Sequence, residues 1–241
     1  DEVIERFGKE FLVQPKFDGL RCQIHKFPRN DSAIREKMVW ENFVSKPVQE
    51  GLFSLGTDKK YEVKLFTRNL EDVTSMFPEI VDTAMNIEYD SFVLDSEVLG
   101  WNYKDDTFLS YQETMQRRRK YGIMGKQENI PVKAQTFDLL YLNGADMSEM
   151  DTSERISRLN EKFSNTHGGI EVCSTDLINN IEDLKKIFDY NVAHGLEGII
   201  VKQLNGKYLP GVRNYEWIKL KKSMQKELVD TVDLVAVGYY Y

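Results

Sequence analysis

Acids and lysines recur at a spacing of two inside the short apolar runs of this chain, and that pattern limits what it can fold into. Residues two apart on a strand share a face. In 91–101 (SFVLDSEVLGW) Asp95 and Glu97 therefore look the same way, as do Lys219 and Lys221 in 215–222 (YEWIKLKK). Glu197 precedes the aliphatic run of 198–204 (GIIVKQL), and Lys202 ends it. A sheet that only supports a core has no reason to collect carboxylates and ammonium groups on one concave face. A phosphoryl-type transfer has one. It needs carboxylates for a hard divalent cation, lysines and arginines for phosphate oxygens, and an in-line nucleophile.

The remaining pattern is mixed. Residues 11–27 read as strand, with RCQIHKF (21–27) alternating polar and apolar positions, and 61–67 (YEVKLFT) as the return. Residues 134–144 (AQTFDLLYLNG) form another buried strand, ended by an Asn-Gly turn. Ser75 is placed to cap a helix with Pro78 in its first turn, running to about Asn86. Ser110 and Glu113 make a capping box opening a helix through Lys120, and Asp151 with Glu154 starts one reaching about Phe163. Leu184, Ile187, Phe188 and Val192 give one apolar helix face, which Gly195 stops. Residues 28–60 read as an elaborated hairpin insertion, and 231–241 (TVDLVAVGYYY) begin a strand that has no partner left. No regular βαβ rhythm runs through these elements, so the expected class is α+β on antiparallel sheets.

Composition narrows the partners. The net charge of the 241 residues is −7, yet 202–226 hold six lysines and Arg213 against one acid, Glu216, and Arg117 to Lys120 make a second basic cluster. Screening makes local charge matter more than the total, so such surfaces can bind phosphates. Cys22 and Cys173 show no metal-type spacing and suit a reducing compartment. No apolar run is long enough to span a bilayer.

The candidate nucleophile is Lys16, in KFDGLR (16–21). A lysine ending a buried strand is partly dehydrated, which disfavours an ammonium, and a neutral amine is a nucleophile. Gly19 is expected to adopt a positive φ and let the backbone approach a phosphate.

Six segments in order carry a resemblance: KFDGLR (16–21), LFTRNLEDVT (65–74), LDSEVLGW (94–101), FDLLYLNG (137–144), EGIIVK (197–202) and WIKLK (217–221). The set resembles the ATP-dependent DNA ligases, above all the eukaryotic replicative type and its archaeal relatives. These are covalent nucleotidyltransferases, like RNA ligases and mRNA capping enzymes. The likeness runs from about residue 11 to 241, with 28–60 as its main gap. It implies a nucleotidyltransferase (ATP-grasp-like) adenylation domain over 1–222, with two antiparallel sheets, flanking helices and a nucleotide cleft between them. Residues 223–241 would be a linker and the first strand of a truncated OB-fold domain, and an N-terminal DNA-binding domain would be missing.

The resemblance also implies roles. Lys16 would attack the α-phosphate of ATP to form a lysyl–AMP adduct, whose AMP then passes to the 5′-phosphate of nicked double-stranded DNA. Arg21 and Arg68 would hold phosphate or ribose groups, and Arg213 matches another nucleotide-contacting position. Glu97 would contact the ribose or a metal, and Glu197 would support the divalent cation, Mg²⁺ or Mn²⁺. Phe137 would stack on adenine, while Lys219 and Lys221 would grip the α-phosphate. The implied enzyme is an intracellular monomer of DNA replication, repair and recombination.

Two features depart from the family pattern. Gln14 stands where an acid often accepts from the adenine amino group, although a glutamine oxygen can accept the same bond. The 28–60 insertion replaces a short turn. Plainer assignments also exist: Phe137 as core packing, Glu97 and Glu197 as ion-pair partners of Lys219 or Lys202, and Arg117 to Lys120 as a solvated helix face or peripheral DNA contact. The rival functions are an RNA ligase or capping-type enzyme, and a silent nucleic-acid-binding fragment. TRNLEDVT and EGIIVK favour the DNA ligase over the capping enzyme.

Overall fold

Strand alternation and helix stripes together decide which faces are buried here. The structure is a computed structural model that describes residues 2–29, 60–105, 107–120, 130–211 and 216–224. The chain enters through helix α1 (Glu2–Phe7) and strands β1 (Phe11–Lys16) and β2 (Leu20–Pro28). Then come β3 (Tyr61–Thr67), α2 (Pro78–Asn86), β4 (Phe92–Asn102), β5 (Thr107–Phe108) and α3 (Tyr111–Lys120). They are followed by β6 (Val132–Leu142), β7 (Ala145–Asp146), α4 (Thr152–Phe163), β8 (Ile170–Val172) and β9 (Asp176–Ile178). Last are α5 (Ile181–Ala193), β10 (Gly198–Gln203) and β11 (Trp217–Lys221).

These strands make two sheets. A seven-stranded sheet runs β3-β2-β4-β6-β7, with β5 on β4 and β8 on β6, and a four-stranded sheet runs β11-β10-β1-β9. The expected α+β architecture on antiparallel sheets forms, with one exception. The three-residue β8 lies parallel to residues 134–136 of β6.

Each sheet buries one face under helices. On the large sheet, Ile24, Leu65, Leu94 and Leu139 pack against Ile80 of α2 and Leu159 of α4. On the small sheet, Phe11, Val13, Ile199 and Val201 pack against Leu184 and Phe188 of α5. Each such side chain contributes ~1.5–3 kcal/mol relative to exposure. A third cluster joins the sheets on their other faces: Phe17, Leu99, Phe137 and Cys173, with Trp217 against them.

Local signals and tertiary contacts share the helix starts. Ser110 and Glu113 form the expected capping box, with Glu113 N donating to Ser110 Oγ (3.3 Å) and Ser110 N to Glu113 Oε2 (3.0 Å). Helix α5 begins on Asn180, whose side chain accepts from Asp183 N, and ends before Gly195 at φ +83°. Ser75 caps nothing. It lies in a 3₁₀ turn (Thr74–Met76), and α2 starts on Phe77 with Pro78 in its first turn. Asp151 precedes α4 without a side-chain cap, because it pairs with Lys207 (2.8 Å) instead. The carbonyls of Gly206 and Leu204 satisfy the first amides of α4, from Thr152 and Ser153, at 2.9 Å each. This ties the chain after β10 to the large sheet.

The 28–60 insertion (apart from residues 28, 29 and 60), the side chains of residues 117–120, and the 231–241 strand lie outside the described residues. No helix among the described residues is long and apolar enough to cross a membrane.

Candidate active site

The free face of the small sheet can be read from register alone. Lys16 pairs with Gly198 and Gly198 with Lys221; Gln14 pairs with Ile200 and Ile200 with Lys219; Leu12 pairs with Lys202 and Lys202 with Trp217. Facing partners point to the same side of a sheet. Lys16, Gln14, Lys202, Trp217, Lys219 and Lys221 therefore share the face opposite α5. Gly198 lies so near β11 that a Cβ would stand 2.0 Å from the Leu220 carbonyl oxygen. Having no side chain there leaves the space between Lys16 and Lys221 to Glu197. Its carboxylate contacts Lys16 Nζ through one oxygen and Lys221 Nζ through the other (2.6 Å).

Across the cleft, Arg21 faces Glu97 and Gln23 faces Asp95 on β2 and β4. Arg21 makes a two-pronged bond to Asp95, Nε to Oδ1 at 3.1 Å and Nη2 to Oδ2 at 2.6 Å. Tyr208 reaches in from the chain after β10. Its hydroxyl donates to Asp95 Oδ2 (2.9 Å) and accepts from Arg21 Nη2 (3.1 Å) and Gln23 Nε2 (3.2 Å). Gly19 bonds through its amide to Glu97 Oε1 (3.2 Å). The reason for glycine here differs from the expectation, since Gly19 is not among the residues with positive φ. A Cβ on it would stand 2.5 Å from the Val98 carbonyl oxygen, so the need is close approach of the loop to β4.

Phe137 sits at an irregularity in β6. Ser96 pairs with Thr136 and Asp95 with Asp138, which leaves Phe137 as the extra residue of a bulge. Its carbonyl accepts from Lys202 Nζ (3.0 Å) and Gln14 Nε2 (3.2 Å), stitching the two sheets together. The ring is 8 % exposed, edge-on to Trp217, and Arg21 lies over it at 5.7 Å. Gln14 is buried, and its second amide bond goes to Thr175 Oγ1 (2.9 Å). A carbonyl can only accept, so the Phe137 bond fixes which end of the Gln14 amide is nitrogen. That leaves Gln14 Oε1 buried without a hydrogen-bond partner.

Charge is unbalanced on this face. Burial lowers the pKa of Lys219, and the nearby charges of Lys16, Arg68, Arg21 and Lys221 lower it further. Burial likewise opposes the charge on Arg21, but Asp95 outweighs it and holds the guanidinium above its ordinary range. Burial pushes Glu97 up to about 7, against the Gly19 amide bond and the Lys16 charge, with Asp95 adding to the rise. Burial also acts to raise Glu197, but its bonds from Lys16 and Lys221 hold it below the ordinary carboxylate range. Among the described residues, no three His, Cys, Asp or Glu side chains gather as a metal cage.

Residues 56–221 match the family model of the ATP dependent DNA ligase domain. The chain belongs to the ATP-dependent DNA ligase family. Its sequence is 35 % identical over 241 residues to a probable DNA ligase of Dictyoglomus turgidum and 31 % identical over 242 residues to DNA ligase 2 of Korarchaeum cryptofilum. All of this chain is covered in both matches, but only 36 % of each relative's length. The fold is that of a mycobacterial DNA ligase D complexed with ATP and MES (TM-score 0.59, 20 % identity, 88 % of this chain and 55 % of that one). It is also that of the bacteriophage T7 ATP-dependent DNA ligase in complex with ATP (TM-score 0.51, 15 % identity, 92 % and 65 %).

The ligase fold brings together Gln14, Lys16, Arg21, Glu97, Phe137, Glu197, Lys219 and Lys221, with Arg68 exposed close enough to act on Lys219. Arg213 lies outside the described residues. Glu197 pairs with Lys16 and Lys221, not with Lys219 or Lys202. The described lysines of the basic run 202–226 do not share one exposed surface. Lys202 is fully buried, its ammonium 4.2 Å over the Trp217 ring, and Lys207 and Lys221 are paired with acids. Tyr208 and Thr175 escaped the sequence reading, and no motif or spacing marks either one.

Proposed function

We propose that this chain is the adenylation domain of a DNA ligase, with Lys16 as the residue that takes AMP from ATP. The amine nitrogen bonds to the α-phosphorus as the bond from that phosphorus to the pyrophosphate oxygen breaks. Pyrophosphate leaves, and a proton passes from the nitrogen to water. AMP is then handed from Lys16 to the 5′-phosphate of a DNA nick. The observation that carries this reading is the position of Lys16, 14 % exposed at a strand end, at a cleft where Lys16, Lys219, Lys221, Arg21 and Arg68 meet Glu197, Glu97 and Asp95.

The residues fit a triphosphate. Lys16, Arg68, Arg21 and Lys221 all act against the charge of Lys219, so an anion beside it relieves that repulsion and charge developing on the phosphate is stabilised there. Tyr208 and Asp95 keep the Arg21 fork in place, and Glu197 orients the Lys16 amine. Gln14 Oε1 is an unmet acceptor suited to the amino group of adenine, and Phe137 would offer the base an aromatic face. Glu97 and Glu197 would be the residues to hold a divalent cation, Mg²⁺ or Mn²⁺, which would supply positive charge against the phosphates. Residues 1–222 make up this domain, and 223–241 lead into an OB-fold domain of the whole enzyme. Nick sealing, the DNA partner and an intracellular role belong to that whole enzyme.

The test is incubation with ATP and Mg²⁺ followed by intact-mass measurement. One adenylate should add on Lys16, be reversed by pyrophosphate and be absent in Lys16→Ala. Labelling that persists in Lys16→Ala refutes the assignment.

A further inference from the structure

We propose that Leu70 is a DNA-contact residue, presenting an apolar side chain to the sugars and base edges of the duplex beside the phosphate that Arg68 would grip. This rests on the function proposed above. Strand β3 ends at Thr67, and the chain reverses over Arg68, Asn69 and Leu70. Leu70 N donates to Thr67 O (2.9 Å), Thr67 N donates to Glu71 O (3.0 Å), and Phe66 bridges Asp72 in antiparallel fashion. Three-residue reversals of this form end on a left-handed residue, which glycine occupies without strain. Here that residue is a leucine at φ +62°. Asn143 is the one other non-glycine residue with positive φ among those described, and asparagine tolerates the region.

Neither the turn nor the core requires a leucine. The side chain is 48 % exposed and belongs to none of the buried clusters among the described residues. Here the turn's own hydrogen bonds hold the strained residue in place, and strained positions gather at ligand sites. The surroundings point to the ligand. Arg68 is exposed, and its charge reaches the Lys219 cluster. Asp72 is occupied by Lys64 (3.2 Å) and by the Thr74 amide (2.9 Å). The tip thus offers a cation, an amide and an apolar group, the mixture that meets phosphate, base edge and sugar. A lone leucine beside an arginine at a cationic cleft is a poor centre for a protein interface, where charge is depleted.

The experiment measures binding of this chain to a 5′-phosphorylated nicked duplex by fluorescence anisotropy at low salt, beside melting temperature and AMP incorporation. Leu70→Gly should raise Tm by about 2–4 °C, because the strain is relieved. It should also weaken nicked-duplex binding by about fivefold. Leu70→Asn should weaken binding likewise, and Leu70→Met should restore it. AMP incorporation should be equal in all variants, so failure of the parent to incorporate AMP refutes the proposed function and not this contact. Glycine and asparagine variants that bind as tightly as the parent overturn the proposal and give Leu70 to a protein surface. A methionine variant as weak as the glycine one overturns it too.

Discussion

Replacing Glu97 by glutamine should make the protein more stable at high pH. The Glu97 side chain accepts the Gly19 amide through Oε1, and glutamine retains an acceptor of the same shape there. What the substitution removes is ionisation. Burial raises the pKa from 4.5 to about 7, with Asp95 adding to the rise while Gly19 and Lys16 oppose it. A carboxyl whose folded pKa lies above its unfolded value binds its proton more tightly when folded. Between 4.5 and about 7, stability therefore falls as pH rises, by ~1.4 kcal/mol per unit and about 3 kcal/mol in all. Glutamine does not titrate and escapes this loss. Melting curves in metal-free buffer should nearly coincide at the acid end of the window. By pH ~8 the variant should melt about 6–12 °C higher, at ~2–4 °C per kcal/mol. With ATP and Mg²⁺ present, the variant should incorporate AMP more slowly than the parent, because glutamine is a poorer ligand for a divalent cation. A melting difference that is flat, or that shrinks as pH rises, would refute the reasoning.

Adenine preference should depend on Gln14. The parent should label with ATP well above GTP, and Gln14→Leu should reduce that preference by about tenfold, read from the initial rates of the two labels. Equal labelling of the parent by GTP and ATP would point to a capping-type enzyme. Tyr208→Phe removes the hydroxyl that bonds both Asp95 and Arg21. It should lower kcat for AMP incorporation by about tenfold and the melting temperature by several degrees, since Asp95, Arg21 and Gln23 each lose a partner, while leaving the KM for ATP near that of the parent. A change confined to KM would place Tyr208 in substrate binding instead.

Much of the site is local in the chain, and that part is legible before folding. Side chains alternate because the strand backbone repeats every two residues, so the pairs Asp95/Glu97 and Lys219/Lys221 each had to share a face. The Ser110–Glu113 box and the Gly195 stop are likewise settled within a few residues of chain. Motif order supplied Lys16 and its company, since six short segments in sequence are far more specific than any one of them.

The tertiary structure decided whatever depends on residues remote in sequence. Tyr208 meets Asp95 across 113 positions, and Lys202 meets the Phe137 carbonyl across 65. Lys202 looks like part of a basic surface in the sequence and is instead a buried brace between the sheets, because β6 packs over it: its ammonium meets the Phe137 carbonyl and Asp138 and lies over the Trp217 ring. Asp151 gave up its cap to Lys207 once two distant carbonyls had satisfied the helix amides. Gly19 is required by the approach of β4 and not by its own φ. Local pattern determined which residues could face the cleft. Register, the bulge at Phe137 and the meeting of the two sheets determined what each one touches, because those contacts exist only after distant strands have paired.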